Sequence, residues 1–573
     1  MHPVRSIGTL ADRLRAEDDR PPIGLVLLAG AIAAAVLSPI VWLVLRVGDV
    51  RASYALSLLT GPSTVSVLLN SLALVGAVTA ASVCIGVPLA VLTARTDLPF
   101  RRFFTVAVAL PLVVPSYIGA FAFVSAFGPR GVLTDALAPL GIESIPPIYG
   151  FGGTVLVLTL FTYPYVYLTT RAALLAADAT LPEAARTLGE STTGAFRRVT
   201  LPQVAPGIAA GALLVALYTL SDFGTPAIMR FDTFTRVIFV EYNAFGRDFA
   251  ALLSLQLLAV TAVILALESR LGADRRGAYA SRSARRKGDV SLGAWTVPAL
   301  AFCLAVLVLC LVVPVGVLAM WLVRSGGPGY AGGGFAFEPS FAWNSVGVSA
   351  AAALLSAAVA VPIAYLAARY RSVLSTVFDR ATYLGYAMPG VVLGLSLVYF
   401  GTTYAPALYQ TLPLLVFAYV VRFLPQAIGT TRSSVLQVDP TLAGAARTLG
   451  EAPTGAFRRV TLPLIAPGVL AGAALVFLTT MKELPATLLL HPTGFDTLVT
   501  YIWLVQGAGY YGAAAVPALV LIVVSGLSMF VILARERGTG DLRENGEAHG
   551  SSDARGDGGG REDRDRNRRQ GDH

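Results

Sequence analysis

Apolar runs of about twenty residues follow one another along most of the chain, separated by short stretches rich in arginine. A run of that length matches the roughly 30 Å of hydrocarbon that a helix must cross. Twelve such runs lie near 23–45, 64–92, 103–126, 151–174, 203–221, 249–268, 295–323, 345–368, 381–402, 411–430, 464–481 and 513–534. They are continuously apolar and do not alternate residue by residue, so they predict helices and not the strands of a barrel. The expected fold is an all-α integral membrane protein with about 12 transmembrane helices.

The loop arginines set an orientation. Arg5, Arg13, Arg15 and Arg20 precede the first run, and Arg95, Arg101 and Arg102 follow the second. Arg186, Arg197 and Arg198 follow the fourth, and Arg432, Arg447, Arg458 and Arg459 follow the tenth. Loops on the other side are poorer: the third has Arg130, the seventh Arg324 and the ninth none, although the fifth carries Arg230, Arg236 and Arg247. The positive-inside rule then puts both termini in the cytoplasm of a multi-pass plasma-membrane protein.

The pattern repeats. Residues 180–202, TLPEAARTLGESTTGAFRRVTLP, match 441–463, TLAGAARTLGEAPTGAFRRVTLP, at 19 of 23 positions and an offset of 261. Earlier, Asn70-Ser71 pairs with Asn344-Ser345 and GVPLAVLTAR (86–95) with AVPIAYLAAR (360–369), at an offset of 274. Six runs per copy is an even number, so both halves keep one orientation and parallel pseudo-twofold symmetry is expected. The divisions are a cytoplasmic segment 1–22, a first half 23–268, a basic linker 269–294, a second half 295–534 and a charged tail 535–573. That tail has little to bury and is expected to be disordered.

The repeated segment reads as a helix–turn–helix projecting from the bilayer. Ala184, Ala185 and Leu188 fall on one face of a short helix, Gly189 permits a turn, and Leu201-Pro202 starts the next membrane helix. A small apolar face suits docking into another protein's groove. The pattern EAA, three residues, Gly, nine residues, a branched apolar residue, one residue and LP resembles the signature loop of binding-protein-dependent ABC importer permeases. Glu183, Ala184, Ala185, Gly189, Val199, Leu201 and Pro202 carry it in the first copy. Ala445, Ala446, Gly450, Val460, Leu462 and Pro463 carry it in the second, with Gly444 where the family has Glu.

The resemblance implies that each loop seats in a separate ATPase subunit, two copies per chain, and that an extracytoplasmic substrate-binding protein delivers the cargo. Fused halves with two such loops are similar to ferric-iron permeases, as are MKELPATLLLHPTGFDTLVTYIW (481–503) and TLSDFGTPAI (219–228). Fused thiamine permeases share the architecture, so ferric iron leads and thiamine stays open. An ion-coupled secondary transporter or a membrane scaffold would also allow twelve spans, but would not explain paired docking loops.

Composition narrows the chemistry. Hydrophobic residues make up 55% and charged residues 13%, against about 25% charged in soluble domains. The net charge is +9, with lysine only at Lys287 and Lys482. Most arginines sit between apolar runs, so the basic balance reads as topology and no nucleic-acid partner is expected. The two lysines are followed by Gly288 and Glu483, so no Gly-x4-Gly-Lys-Ser/Thr phosphate loop can form. The chain is therefore expected to be no enzyme, with ATP bound by partner subunits and no cofactor of its own. His2, His491, His549 and His573 form no metal motif, and Cys84, Cys303 and Cys310 read as packing residues.

Asp222 and Glu483 occupy matching positions at the outer end of the run after each docking loop. Carboxylates at membrane depth are costly and are candidates for function. They read either as an outer gate, with Lys482 as a neighbouring charge, or as contacts for a hard cation. Pro111, Pro115 and Pro389 interrupt the third and ninth runs, which kinks the helix or frees carbonyls to line a path. Asn70 and Asn344 are candidates for interhelical hydrogen bonds or for the path itself.

Overall fold

The computed structural model describes residues 21–128, 148–178, 180–273, 290–324, 335–370 and 372–527, with only backbone for Thr192, Thr193 and 267–273. The expected N-terminal segment, most of the linker, the Arg130 loop and the tail lie outside the described residues.

Among the described residues nine helices are long and apolar enough to cross a membrane: Ile23–Gly48, Pro62–Arg95, Phe151–Ala176, Phe196–Ser221, Arg247–Ala266, Gly293–Arg324, Pro339–Arg369, Leu412–Gln437 and Pro453–Thr480. Each overlaps one of the twelve expected runs. The third and ninth runs are not straight spans. Arg101–Val113 meets Ser116–Phe127 at 90°, and Val373–Ala387 meets Gly390–Thr403 at 101°. Proline explains both breaks, because it supplies no N–H and drives the residue before it out of the helical region. Val114 and Met388 are extended, with ψ of 125° and 118°, directly before Pro115 and Pro389. The twelfth run begins as the shorter helix Tyr511–Leu527 and continues outside the described residues.

Four short helices were not legible as spans. Gly224–Ile228 and Phe234–Asn243 follow the helix Leu201–Ser221, and Pro485–Leu490 and Leu498–Gly507 follow Leu462–Thr480. The repeat thus extends beyond the docking loops.

The core crosses the repeat boundary. Ile23–Gly48 packs on Pro339–Arg369, Val373–Ala387 and Gly390–Thr403. Its Ala29, Val36 and Leu43 are buried with Val392, Leu415 and Leu424. The span Gly293–Arg324 reciprocates, placing Cys303, Cys310 and Leu318 among Phe121, Phe161 and Tyr163. Cys303 and Cys310 are packing residues as expected, whereas Cys84 is exposed. Each half therefore lends its first described span to the other.

Small residues let the helices touch. Gly207 and Gly211 on one helix, and Gly468 and Gly472 on its counterpart, form a Gly-x3-Gly stripe, which favours close backbone approach in lipid. A Cβ on Gly211 would lie 2.6 Å from Val166 Cα, and one on Gly472 2.8 Å from Ala427 Cα. Gly211→Val and Gly472→Val should each lower the thermal midpoint of the purified chain and broaden its size-exclusion peak, an overpacking cost of about 1–3 kcal/mol. Gly444→Ala is the control: a Cβ there meets nothing within 4 Å, so its midpoint should match the parent.

Candidate functional site

Two regions carry the chemistry, one at each end of the helix Leu201–Ser221 and of its counterpart Leu462–Thr480. At one end are the repeated elbows. Thr180–Thr187 and Pro440–Thr448 are short helices that stop at Gly189 and Gly450, both at φ +95°, a left-handed conformation that glycine adopts without a side-chain penalty. The chain then climbs through Thr192–Ala195 or Pro453–Ala456 and a π-helical turn, Phe196–Thr200 or Phe457–Thr461, into the membrane helix.

The elbows are braced alike. Arg198 pairs with Glu190, and Arg459 with Glu451. Arg95 Nη2 donates to Ala177 O at 3.1 Å and Arg369 Nη2 to Val438 O at 2.7 Å, fixing the chain just before each elbow. Asp178 and Asp439 accept from the N–H of Thr180 and Thr441, each at 2.9 Å. Those N–H groups, and then the threonine side chains, hold both carboxyls below the ordinary aspartate range. A depressed carboxyl keeps such a cap above that range and loses it as the pH falls.

Glu183, Ala184, Pro202, Gly444, Ala445 and Pro463 are exposed, and Ala185, Ala446, Leu201 and Leu462 are half-buried. Leu188 and Leu449 are each 87% exposed, with Leu181 and Leu442 open as well. Each elbow so presents a bare apolar face. Space is open at Gly444, so the missing glutamate reflects sequence and not crowding.

At the other end of these helices the two halves share a cavity of about 190 Å³. Asp222, Lys482 and Glu483 all line it, as do Ser116, Tyr117, Tyr218, Gln426 and an arginine the sequence reading passed over, Arg422. Asp222 accepts from Ser116 Oγ at 2.7 Å and from Thr225 N at 3.0 Å, and Tyr218 donates to Ser116 at 3.1 Å. Glu483 takes Arg422 Nε at 3.2 Å and Ala486 N at 3.2 Å. Both carboxylates therefore accept an N–H from the first turn of a short helix three residues on.

Lys482 does not pair with its neighbour Glu483. Its Nζ donates at 3.1 Å to Leu112 O, beside the break in the first half. Gly390 stands where the first half has Ser116, and a Cβ there would strike Glu483 and Arg422. Arg422 carried a readable signal, because it is a charge inside an apolar run.

Asn70 and Asn344 do not line this cavity. Asn70 Nδ2 donates to Asp232 O at 3.2 Å and Asn344 Nδ2 to Asp496 O at 2.8 Å. The neighbouring Ser71 and Ser345 accept from Phe234 N at 3.1 Å and Leu498 N at 2.8 Å. Each Asn-Ser pair clamps the loop that follows a short helix. Among the described residues no group of three or more His, Cys, Asp or Glu could hold a metal ion.

The sequence profile of the binding-protein-dependent transport system inner membrane component family matches residues 82–325 and 360–539. The chain belongs to this family. It is a multi-pass membrane transport subunit, of a family whose members work with binding proteins and ATPases. It is 34% identical over 516 residues to the Fe(3+)-transport system permease protein FbpB 2 of Haemophilus influenzae, covering 90% of this chain and 98% of that one. The ferric transport system permease protein FbpB of Actinobacillus pleuropneumoniae is 24% identical over 84% of this chain and 72% of its own. A probable molybdenum ABC transporter permease protein of Haloferax volcanii is 32% identical over 43% of this chain and 89% of its own.

The Arg422–Glu483 pair is 14% and 6% exposed. Removing one partner of such a pair costs about 3–5 kcal/mol, because the other is left charged and buried. Arg422→Leu should lower the thermal midpoint sharply, and Arg422→Leu with Glu483→Gln should recover most of the loss. Equal midpoints for the single and double variants would remove the pair as a structural element.

Proposed function

We propose that this permease supplies both halves of the membrane domain of an ATP-driven importer for ferric iron. The observation that carries the substrate is the 34% identity to a Fe(3+)-transport permease across 98% of that protein's length. The loops 180–202 and 441–463 are the docking surfaces for two ATPase subunits, and both termini lie on the same, cytoplasmic side. A binding protein delivers cargo at the opposite face.

Geometry supports alternating access. The helices Leu201–Ser221 and Leu462–Thr480, of 21 and 19 residues, run roughly 30 Å from elbow to cavity at 1.5 Å per residue. Motion of an elbow on its ATPase shifts the carboxylate at the helix's far end. Asp222, Lys482 and Glu483 form the outer gate, where the short helices and the bent spans of both halves meet. Asn70 and Asn344 hold the segments after those short helices in place.

Iron uptake is the direct test. Vesicles containing the chain, its ATPase and its binding protein should accumulate 55Fe(III) only with ATP inside. An ion gradient that substitutes for ATP would instead mark a secondary transporter. Molybdate, favoured by the half-length relatives, and thiamine are the competing substrates; preferential uptake of either would overturn the iron assignment.

Two sets of variants separate the roles. Leu188→Glu with Leu449→Glu should cut co-purification of the ATPase at least tenfold while leaving the thermal midpoint unchanged. Asp222→Asn with Glu483→Gln should keep the ATPase bound but slow iron uptake. Uptake at the parent rate would take both carboxylates out of the mechanism.

A further inference from the structure

The cavity between the halves is balanced in charge and rich in hydrogen-bond donors, which is an odd reception for a naked metal ion. Its four ionisable carboxylate, ammonium and guanidinium groups are Asp222, Glu483, Lys482 and Arg422, two of each sign. The four formal charges cancel, so the lining favours a nearly neutral cargo over a bare trivalent cation. Hard cations also require about six oxygen ligands. The two carboxylates are already engaged, by Ser116 and Thr225 N in one case and by Arg422 and Ala486 N in the other.

The donors tell the complementary story. The Lys482 ammonium carries three protons, and the bond to Leu112 O uses one. Among the described residues the Tyr117 hydroxyl is buried with no hydrogen-bond partner, and Tyr117 and Lys482 both line the cavity. A point cation and an unsatisfied hydroxyl on one cavity suit the oxygens of an oxyanion, and a buried hydroxyl left unpaired is a cost that a ligand would relieve. Space is ample, since the cavity of about 190 Å³ far exceeds the roughly 10–15 Å³ that one water needs.

We propose that this cavity receives ferric iron together with an oxyanion ligand, and that Lys482 and the Tyr117 hydroxyl bind the oxyanion's oxygens. The transported species is then a ferric complex, not the bare ion. The iron stays with the ligand oxygens it brings, and the protein reads the outside of that shell. This rests on the ferric reading above, yet fails separately from it: ATP-driven uptake of 55Fe can stand while the form of the cargo is disproved.

Ferric pyrophosphate is the probe. The full chain in lipid nanodiscs is equilibrated with 55Fe(III)–[32P]pyrophosphate, and both labels are counted after separation. The two labels should be retained together in constant ratio. Lys482→Gln should weaken retention of both by roughly tenfold or more, and Lys482→Arg should restore them, each variant being compared as a single size-exclusion peak to control for folding. Tyr117→Phe should weaken both labels less. Retention of 55Fe without 32P, equal retention of pyrophosphate lacking iron, indifference to Lys482→Gln, or no retention by the parent chain would each overturn the proposal.

Discussion

Inside a bilayer every backbone group released from a helix must find a partner within the protein, and this chain releases several at one place. Pro115 and Pro389 break two spans at membrane depth. The carbonyls of Leu112 and Met388, beside those breaks, meet Lys482 at 3.1 Å and Arg422 at 3.5 Å. The two cations bring a charge that needs an answer, and Asp222 and Glu483 supply it from the same cavity. Those carboxylates in turn hold the first turns of Gly224–Ile228 and Pro485–Leu490. One network therefore joins bent spans, short helices and both halves, and moving any member disturbs the rest.

Duplication left two kinds of residue pairs. The elbows hardly differ: Gly189 and Gly450 share a φ, Glu190–Arg198 mirrors Glu451–Arg459, and Arg95 mirrors Arg369. The Asn-Ser clamps are equally matched. The cavity has diverged instead. At the same offsets Phe161 corresponds to Arg422, Tyr165 to Gln426, Tyr218 to Thr479, Ser221 to Lys482 and Ser116 to Gly390. The first half supplies three of the four tyrosines, Tyr117, Tyr165 and Tyr218, and the second supplies Tyr386 and both cations. On the proposed function, parts pushed by two like partners can remain symmetric, whereas a pocket that meets a single small cargo has no reason to.

Much of this was legible in the sequence because membrane helices obey a one-dimensional rule. Of the twelve runs nine became helices long enough to cross, two carried the warning of their bend as Pro115 and Pro389, and the twelfth is described only as the shorter helix Tyr511–Leu527. The elbows were readable from Gly189 and Gly450, whose place after a short amphipathic stretch implies a turn. Partners across space were not readable. Lys482 sits next to Glu483 in sequence yet bonds to a carbonyl 370 residues away, while Glu483 pairs with an arginine on another helix. Asn70 and Asn344 were recognisable as polar groups at depth, but only the fold shows that they face a loop backbone. The five- and six-residue helices after each carboxylate are too short to give a periodic signal.

The exchange of first helices has a mechanical consequence. Because Ile23–Gly48 is buried against the second half and Gly293–Arg324 against the first, neither half can swing as a free lobe; each carries a helix belonging to the other. On the alternating access proposed above, relative motion falls on contacts made by backbone more than by interlocking side chains. The Gly-x3-Gly stripes at 207–211 and 468–472 leave no side chain to interlock, and the π-helical turns at Phe196–Thr200 and Phe457–Thr461 sit at the base of each membrane helix. A helix gripped by a smooth stripe, seated on a π-turn and tied at its far end to a charged network can rotate or slide as one rigid piece. On the proposed alternating access, the moving part is then Leu201–Ser221 and Leu462–Thr480, and the exchanged helices are the frame against which they move.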